Sequence, residues 1–437
     1  VYNNIVAAGI KLTSDASSST GSDANLFQLY PALNVAWYGK NSLFSKNKFI
    51  NNFTLRAEYF ATGNSQFPTT ISKYYYSNLS FRQLSGLTRA GIPNTKIQPE
   101  LSQTLNVGAD ISLMNHRIDI TLDAYRTMKS KMLMPTPISP AYGVGYLYEN
   151  IGESLNTGIE AGIQIAAVQT KDIKWYIGGT ISLTKNKITN LGEQNSLVMN
   201  LADGSALISE VGSSIYNFYG FQTDGVFSTT EEANTAHNGT SPLKNIAGTA
   251  FSAGDIRFVD QNTDGIIDDR DKVKLGSSLP DYYGTVYTSL KIKEFELSAN
   301  FAYSVGNKMY NAVRRSMESM QDFSNQLVST KRRWISEGQI TDMPRAIYGD
   351  PMDNSRFSDR WIEDASFIKL KEVMLSYNLN LFNGTTLFLS GENLFTITNY
   401  LGLDPETMYS YDSSMRGFDY AKIPHPRVLK IGLKVQF

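Results

Sequence analysis

The segment from Arg427 to Phe437, which ends the chain, constrains the fold more than any other. Its residues alternate strictly: Leu429, Ile431, Leu433, Val435 and Phe437 are apolar, and Lys430, Gly432, Lys434 and Gln436 lie between them. This period is that of a β-strand with one apolar and one polar face. A strand of roughly 9 to 11 residues with an apolar outer face crosses a bilayer within a closed β-barrel, where every backbone group finds a partner inside the protein. A strand of a soluble sandwich shows the same alternation, so this segment alone leaves both folds open.

Composition removes several other classes of protein. The chain has 437 residues, a formal net charge of -1, no cysteine, and no run of about 18 apolar residues that would form a membrane-spanning helix. Near-neutral charge without basic clusters argues against a nucleic-acid partner. The lack of cysteine excludes disulfides and thiolate metal sites. Val1 begins within a pattern, without an initiator Met or signal peptide, so we expect a mature fragment of a longer protein.

The same alternation recurs along the chain. It is clearest at 118–125, 159–165 and 297–303, where polar and apolar residues exchange at every position. Weaker candidates are 3–13, 28–38, 52–62, 101–114, 174–187, 282–292, 366–378 and 385–394. With the terminal strand, the sequence predicts about twelve strands.

The predicted connections between these strands are short and long in turn. Short links are predicted at 114–117, 170–172, 291–293 and 380–384, with a moderate one at 40–51. Long links are predicted at 63–100, 135–147, 188–281, 304–366 and 395–425. Tight periplasmic turns opposite long extracellular loops are typical of outer-membrane barrels, and such loops would be unusual in a compact soluble domain. The alternation requires Ser214–Phe227 to lie in an outer loop. The predicted fold class is therefore all-β, an antiparallel transmembrane β-barrel with long extracellular loops.

Several segments, in collinear order from Phe27 to Phe437, resemble a known family. They are Tyr30–Trp37, Leu55–Asn64, Asn150–Glu160, Gly254–Phe258, Pro344–Ala346, Asn354–Arg360 and Ser390–Phe395. Together they make the chain similar to the C-terminal barrel part of a SusC/RagA-type TonB-dependent outer-membrane transporter. The resemblance implies a barrel of 22 strands with a plugged lumen. On this interpretation residues 1–437 form the C-terminal part of that barrel, without a plug domain, and about ten strands precede them.

The resemblance also implies a function and partners. A SusC-like transporter takes up oligosaccharides or oligopeptides, with a SusD-like surface lipoprotein acting as a lid. Energy reaches it from the TonB system through the N-terminal plug region, which is missing here. The implied location is the outer membrane of a Gram-negative, Bacteroidetes-like cell, where the barrel contacts lipid. Two alternatives remain open: a barrel scaffold within a larger outer-membrane assembly without solute transport, and a soluble calcium-stabilised adhesin.

No catalytic residue and no organic cofactor is predicted. The three histidines are His116, His237 and His425, and none has a nucleophile or an orienting carboxylate at a characteristic spacing. The sequence also has no nucleophile elbow and no phosphate-binding glycine loop followed by a helix. We therefore expect a protein that is not an enzyme.

One acidic segment has the spacing of a calcium loop. Asp260, Asn262, Asp264, Ile266, Asp268 and Asp271 occupy positions 1, 3, 5, 7, 9 and 12, with Gly265 at position 6 for the sharp turn. Ile266 would contribute its backbone carbonyl. Asp271 departs from the pattern, because an EF-hand has a bidentate Glu there. The alternative is a glycine-cornered acidic turn that solvates its own charge.

Two further groups of residues carry weaker predictions. Five tyrosines in long loops are candidates for stacking on a sugar ring or an apolar ligand face, with loop packing as the alternative: Tyr74, Tyr75, Tyr76, Tyr409 and Tyr411. Trp37, Trp175 and Tyr59 suit an interfacial aromatic girdle. A set of charged residues is expected in a solvated loop, with the lumen or a plug contact as the alternative: Arg356, Asp359, Arg360, Glu363 and Asp364.

Overall fold

This computed structural model describes residues 2, 4–81, 84–379, 384–410 and 412–435. One large antiparallel sheet dominates them, and twelve long strands follow one another across it in chain order. The strands are β1 (Val6–Ala16), β2 (Phe27–Tyr38), β3 (Ile50–Asn64), β4 (Glu100–Leu113), β5 (Ile118–Pro137), β6 (Tyr146–Gln169), β7 (Ile173–Leu191), β8 (Tyr282–Ile292), β9 (Phe295–Val305), β10 (Phe367–Leu379), β11 (Thr385–Glu392) and β12 (Val428–Val435). The short strand Thr396–Thr398 also pairs with β10. The predicted set of strands is therefore confirmed.

The two faces of this sheet differ as the alternation predicts. One face carries exposed apolar side chains on successive strands, including Leu33, Val35, Leu55, Leu105, Val107, Leu122, Ile159, Ile163, Ile181, Leu183, Val286, Leu297, Leu375, Leu387, Leu389, Ile431 and Leu433. In β12, Leu433 pairs with Leu387 and Lys434 with Thr386, so the two β12 residues lie on opposite faces. Water would not favour so much exposed apolar surface, whereas lipid does.

The other face carries polar and charged side chains that bind one another. Arg56 pairs with Asp110 at 2.8 Å and with Asp123 at 3.1 Å, and these three residues come from β3, β4 and β5. Gly108 lies between Arg56 and Asp123 in the register, and a Cβ atom there would come within 2.4 Å of the Asp123 carboxylate. The cross-strand ion pair therefore depends on a residue without a side chain at position 108.

Aromatic side chains lie at the end of the sheet where the short connections are. Trp37, at the end of β2, packs edge-on against Phe53 with ring centroids 6.0 Å apart. Trp175, near the start of β7, donates a hydrogen bond from Nε1 to Thr288 Oγ1 at 3.0 Å. Tyr59 lies further along β3, where its hydroxyl accepts a hydrogen bond from Gln103. The positions of Trp37 and Trp175 suit an interfacial girdle.

The connections alternate in length, as predicted. Short or moderate ones cover 39–49, 114–117, 170–172 and 293–294, while long ones cover 65–99, 192–281, 306–366 and 393–427. Residues 380–383 of the predicted short link lie outside the described residues. Ser214–Phe227 lies within 192–281 and contributes no strand to the large sheet, which confirms its placement. The prediction of a long loop at 135–147 is wrong, because β5 and β6 continue as a paired hairpin to Pro137 and Tyr146.

The long connections contain their own secondary structure. Four short strands form a second sheet: Ser196–Asn200, Ala206–Glu210, Asn217–Phe221 and Lys272–Ser277. Smaller pairings join Thr223–Val226 with Ile256–Phe258, Lys244–Asn245 with Ile266–Ile267, Tyr76–Phe81 with Leu84–Arg89, and Lys308–Asn311 with both Ile362–Asp364 and Phe418–Asp419. Helices α1 and α2 cover Thr230–Asn234 and Ala312–Glu318, and 3-10 turns cover Gly39–Asn41, Thr69–Ile71, Pro140–Tyr142, Asp269–Asp271, Val328–Arg332, Asp359–Trp361 and Ser413–Met415. We call the connections 192–281, 306–366 and 393–427 the loop layer.

Within the described part of the chain, no helix has the length and apolar character needed to cross a membrane.

Candidate functional site

Two large buried apolar clusters hold the loop layer together, beside a smaller one of Met309, Ala365 and Tyr400. The first contains Phe221, Val226, Phe227, Ala233, Leu243, Phe251, Ile256, Phe258, Ile267 and Met352. The second contains Leu207, Phe218, Tyr310, Phe357, Trp361 and Phe418, so it draws on all three connections of the layer. Trp361 and Phe218 are fully buried, and the Phe218 and Phe418 rings pack 5.4 Å apart. Burial of these side chains gives the long connections a stable core of their own.

A buried ion pair joins three of the segments that carry the family resemblance. Asp255 is 0% exposed, and its carboxylate binds Arg345 Nη2 at 2.9 Å and Asn354 Nδ2 at 3.0 Å. The same carboxylate accepts the backbone N–H of Ser252 at 2.9 Å. A buried carboxylate is tolerated only when it is paired and hydrogen-bonded, and here every partner comes from the loop layer.

The expectation of a solvated loop for the charged set is wrong for its central members. Arg356 and Glu363 are each 8% exposed, and the guanidinium of Arg356 lies 4.5 Å from the ring centre of Phe258. Glu363 accepts hydrogen bonds from Arg314, Asn311 and the backbone of Leu401. Asp359 accepts two hydrogen bonds from Thr223. The partners of Glu363 and Asp359 lie 38 to 136 residues away along the chain, and the sequence does not show that they meet.

Two other members of that set are also engaged. Burial lowers the pKa of Arg360 to about 10, so its guanidinium stays charged at neutral pH while it lies over the Trp361 ring at 4.6 Å. Asp364 accepts hydrogen bonds from the backbone and hydroxyl of Ser366, which lower the pKa of this carboxylate. Both residues therefore stabilise the loop layer.

A cavity of about 1300 Å³ lies between the polar face of the large sheet and the loop layer. Hydroxyl and amide side chains line it, together with tyrosines and charges of both signs, including Lys129, Asn156, Thr184, Asn186, Tyr216, Tyr283, Thr285, Ser304, Asp281, Glu406 and Arg416. Tyr283 pairs in register with Ser182 and Ser304, which places it on the polar face. Such a lining offers many hydrogen-bond donors and acceptors to a polar ligand.

A compact charged group anchors the connection 393–427 beside this cavity. Three candidate ligand atoms, one each from Asp404, Glu406 and His425, lie within 4.8 Å of one another. In the described ranges, no other set of three histidine or carboxylate residues is this close. Lys369, only 3% exposed, binds Asp404 at 3.0 Å and Glu406 at 2.7 Å, and Lys371 also binds Glu406. Although burial alone would raise it, the pKa of Asp404 is lowered because His425 and Lys369 donate hydrogen bonds to it. The positive charges of two lysines neutralise the two carboxylates, so the charge of this group is balanced without a metal ion.

The predicted tyrosines do not gather at the large cavity. Tyr74 and Tyr76 are 64% and 61% exposed, and Arg89 lies 5.5 Å above the Tyr74 ring. Tyr74 lines a second cavity of about 640 Å³, and Tyr409 packs on Tyr420 with ring centroids 4.9 Å apart. Tyr75 lies in the same connection as Tyr74, and Tyr411 is outside the described residues. A role of these tyrosines in substrate contact stays a prediction.

Three tyrosines of the described ranges line the large cavity, Tyr216, Tyr283 and Tyr303, and none of them was predicted as a ligand contact. Tyr283 belongs to β8, and its sequence position indicates only a residue of the polar face. Tyr216 comes from a short loop between two small strands. The alternation of β8 could have assigned the face of Tyr283, but only the folded loop layer shows what lies opposite it.

The predicted calcium ligands all lie on one turn of the loop layer. Asp260, Asn262 and Asp264 each accept a backbone N–H from the same turn, at 2.7 to 2.9 Å. Asp268 and Asp271 cap the following 3-10 turn, and Ile266 forms a strand residue beside Lys244. Their carboxylates do not reach the mutual closeness of the Asp404 group. Metal binding at this turn therefore stays a prediction.

Acidification is expected to loosen the contact between residues 203 and 420. Burial alone would raise the pKa of Asp203, but hydrogen bonds from Ser205, Tyr420 and Tyr310 hold it below its ordinary value. A depressed carboxylate pKa stabilises the fold above the unfolded value near 3.9, and this stability is lost as pH falls through the folded pKa. Hydrogen exchange of both segments between about pH 3 and 7 would test this. The variant Asp203→Asn should weaken the contact by about 1–3 kcal/mol at neutral pH. It should also remove most of the pH dependence of the contact.

Comparison with known proteins gives consistent results. Residues 6–394 match the family model described as TonB dependent receptor-like, beta-barrel. TonB-dependent receptor P3 of Formosa agariphila is 28% identical over 442 residues, covering 96% of this chain and 43% of that protein. TonB-dependent receptor SusC of Bacteroides thetaiotaomicron is 25% identical over 456 residues, covering 97% of this chain and 41% of that protein. The structure of the RagAB peptide transporter superimposes with a TM-score of 0.81 at 22% identity, covering 98% of this chain and 46% of that one. The chain thus spans less than half the length of these relatives.

Proposed function

Because this chain belongs to the TonB dependent receptor-like β-barrel family, we propose that it forms the wall and outer loops of an outer-membrane importer of the SusC/RagA type. The family and the relatives are TonB-dependent receptors and transporters rather than enzymes, as the sequence predicts. The observation that carries the proposal is the polar cavity of about 1300 Å³ between the sheet and the loop layer. An apolar outer face and a polar inner face make this sheet suited to lead a polar solute past lipid.

The proposed solutes are oligosaccharides or oligopeptides. Both present dense hydrogen-bonding groups, which match a lining of hydroxyl and amide side chains such as Thr184, Asn186 and Ser304. Tyr283 adds an aromatic face for a sugar ring or an apolar side chain. Uptake of labelled oligosaccharides and oligopeptides by cells with and without the full-length protein would separate the two classes. A barrel scaffold without transport would leave uptake of both unchanged.

Energy for this import is proposed to come from the TonB system, acting through a plug region supplied by residues outside this sequence. The family match and the relatives named TonB-dependent receptors support this part. Inactivation of TonB should then abolish accumulation of the solute while the full-length barrel stays folded in the outer membrane. Accumulation that persists without TonB would contradict energised import.

A surface lipoprotein of the SusD type is proposed to cover the loop layer. The connection 306–366 exposes large apolar side chains that no described residue covers: Phe323 at 93%, Ile340 at 94%, Val328 at 76%, Tyr348 at 73% and Ile335 at 65%. The rings of Phe323 and Tyr348 contact each other with centroids 5.4 Å apart. A covering partner would remove these apolar groups from water, which supports the proposed lid.

Protease accessibility on intact cells would test this lid. The connection 306–366 should be protected while the partner is present and cleaved when the lipoprotein gene is deleted. The double variant Phe323→Ser, Ile340→Ser should weaken docking. With the partner present, its connection 306–366 should be cleaved at least several-fold faster than that of the unmutated protein. Leu43→Ser is the matched control, because Leu43 is 72% exposed but belongs to the connection 39–49 at the opposite end of the sheet. Equal protection with and without the lipoprotein would contradict docking.

A further inference from the structure

The acidic turn 260–271 is held by hydrogen bonds from its own backbone to its side chains. Asp260 Oδ2 accepts the backbone N–H of Gly265 at 2.7 Å, across the turn. Gly265 has a φ of +80°, which glycine adopts without strain, and Thr263 has a φ of +59°. These contacts explain how the turn folds locally. They do not by themselves require a metal, because Asp and Asn turns make similar hydrogen bonds elsewhere.

An independent observation indicates a missing ligand. The second oxygen of the same carboxylate, Asp260 Oδ1, is buried and has no hydrogen-bond partner among the described residues. The Asp260 side chain is only 10% exposed. Oδ2 binds Gly265 across the turn, so this carboxylate is part of the turn and its second oxygen is left without a protein partner in the described part of the chain. A buried carboxylate oxygen without a partner is costly, so a cation in this place would stabilise the fold.

The charges around the turn are only partly balanced. Arg270 Nη2 binds Asp264 and Asp268, each at 2.7 Å. Asp271 is 0% exposed and accepts backbone N–H groups, including those of Gln261 and Asp268. Within the described ranges, neither Asp260 nor Asp271 forms an ion pair with a lysine or arginine, and the nearest imidazole, His237 Nδ1, is 3.7 Å from Asp260 Oδ2. Two buried carboxylates thus lack a cationic partner of their own.

We propose that this turn binds a calcium ion through Asp260, Asn262, Asp264, Asp268, Asp271 and the backbone carbonyl of Ile266, and that Arg270 competes with the ion for Asp264 and Asp268. Calcium takes six to eight oxygen ligands, and this set supplies at least six, since each carboxylate oxygen has a second lone pair beyond its backbone hydrogen bond. The guanidinium of Arg270 is 63% exposed, so it can leave Asp264 for solvent.

The place of the turn in the fold indicates what the ion would do. Ile267 belongs to the first apolar cluster, and Ile266–Ile267 pairs with Lys244–Asn245. On its other side, the turn 269–271 leads directly into the strand Lys272–Ser277 of the second sheet. An ion bound only by the folded turn would therefore stabilise the loop layer by mass action, without a part in any reaction.

Calcium titration of the full-length protein in detergent tests the proposal. After treatment with a chelator, millimolar calcium chloride should slow proteolysis of the segment 244–277 at least several-fold, and calorimetry should give a dissociation constant of roughly 10⁻⁴ to 10⁻³ M or tighter. Magnesium chloride at the same concentration should protect less, because Mg²⁺ demands a stricter octahedral geometry. An unmutated protein that neither binds calcium nor gains protection would overturn the proposal.

Three variants make the test specific to the turn. Asp260→Asn keeps the shape and the hydrogen bond to Gly265 but should abolish the calcium response. Arg270→Gln should tighten calcium binding, because it removes the competing cation. Asp224→Asn is the matched control, since Asp224 is an acidic residue of the same layer that is 73% exposed and pairs with Arg257, and it should respond as the unmutated protein does. Heat-dependent migration on gels would verify that each barrel is folded, and a full calcium response in folded Asp260→Asn would contradict the assigned ligands.

Discussion

Replacing Asp255 with alanine is expected to unfold much of the loop layer while the large sheet stays intact. The substitution removes the carboxylate that binds Arg345 and Asn354, and it leaves the Arg345 guanidinium without its counter-charge. Removing one partner of a buried ion pair costs about 3–5 kcal/mol, and we expect the lower end because Arg345 is 29% exposed. Hydrogen exchange of the full-length protein in detergent would measure the loss at Ile256 and Phe258, which belong to the first apolar cluster.

The matched control for this variant is Asp342→Ala. Asp342 pairs with Arg332 in the same layer, but the two side chains are 65% and 61% exposed. Exposed ion pairs contribute about 0–1 kcal/mol, so this control should leave the exchange of the apolar cluster nearly unchanged. Similar losses in both variants would mean that the burial of Asp255 does not set the stability of the layer.

Replacing Leu433 with arginine is expected to destabilise the barrel by about 2–4 kcal/mol if the residue lies near the bilayer midplane, and by less nearer the interface. Leu433 is 60% exposed on the apolar face and pairs with Leu387, so its side chain faces lipid in a membrane. An arginine there would place a charge in hydrocarbon. Urea unfolding of the full-length protein in lipid vesicles would measure the change.

The neighbouring residue supplies the control. Lys434 lies on the opposite face of the same strand, in register with Thr386 on β11. Lys434→Gln removes a charge without moving any group into lipid, and we expect a change below about 1 kcal/mol. Equal destabilisation by both substitutions would contradict the assignment of the two faces.

The large sheet could be predicted from the sequence because its pattern is imposed locally. A strand that separates lipid from a polar interior must alternate at every residue, as β12 does from Leu429 to Lys434, and a run of such strands allows few folds. The alternation even assigned the faces of single residues. It did not show where β5 and β6 end, because both strands continue beyond the region where lipid enforces the pattern, to Pro137 and Tyr146.

The acidic turn 260–271 could be located from the sequence, since all its candidate ligands lie within one short stretch, but its metal binding stays a prediction. The hydrogen bonds and ion pair around Asp255 could not be predicted from the sequence. Arg345 and Asn354 follow Asp255 by 90 and 99 residues, and their meeting depends on the connections 192–281 and 306–366 packing together. For the same reason the sequence placed Arg356 and Glu363 in solvent, whereas the fold buries them.

The sequence by itself determined the strands, their faces and, except at 135–147, the order of short and long connections, because each of these depends on neighbouring residues. Only the tertiary structure decided that the long connections form one packed layer, that Tyr283 and Tyr216 line the cavity beneath it, and that Lys369 neutralises Asp404 there. The physical reason is that burial and charge pairing between distant segments depend on distances in space, and residue spacing along the chain does not report those distances.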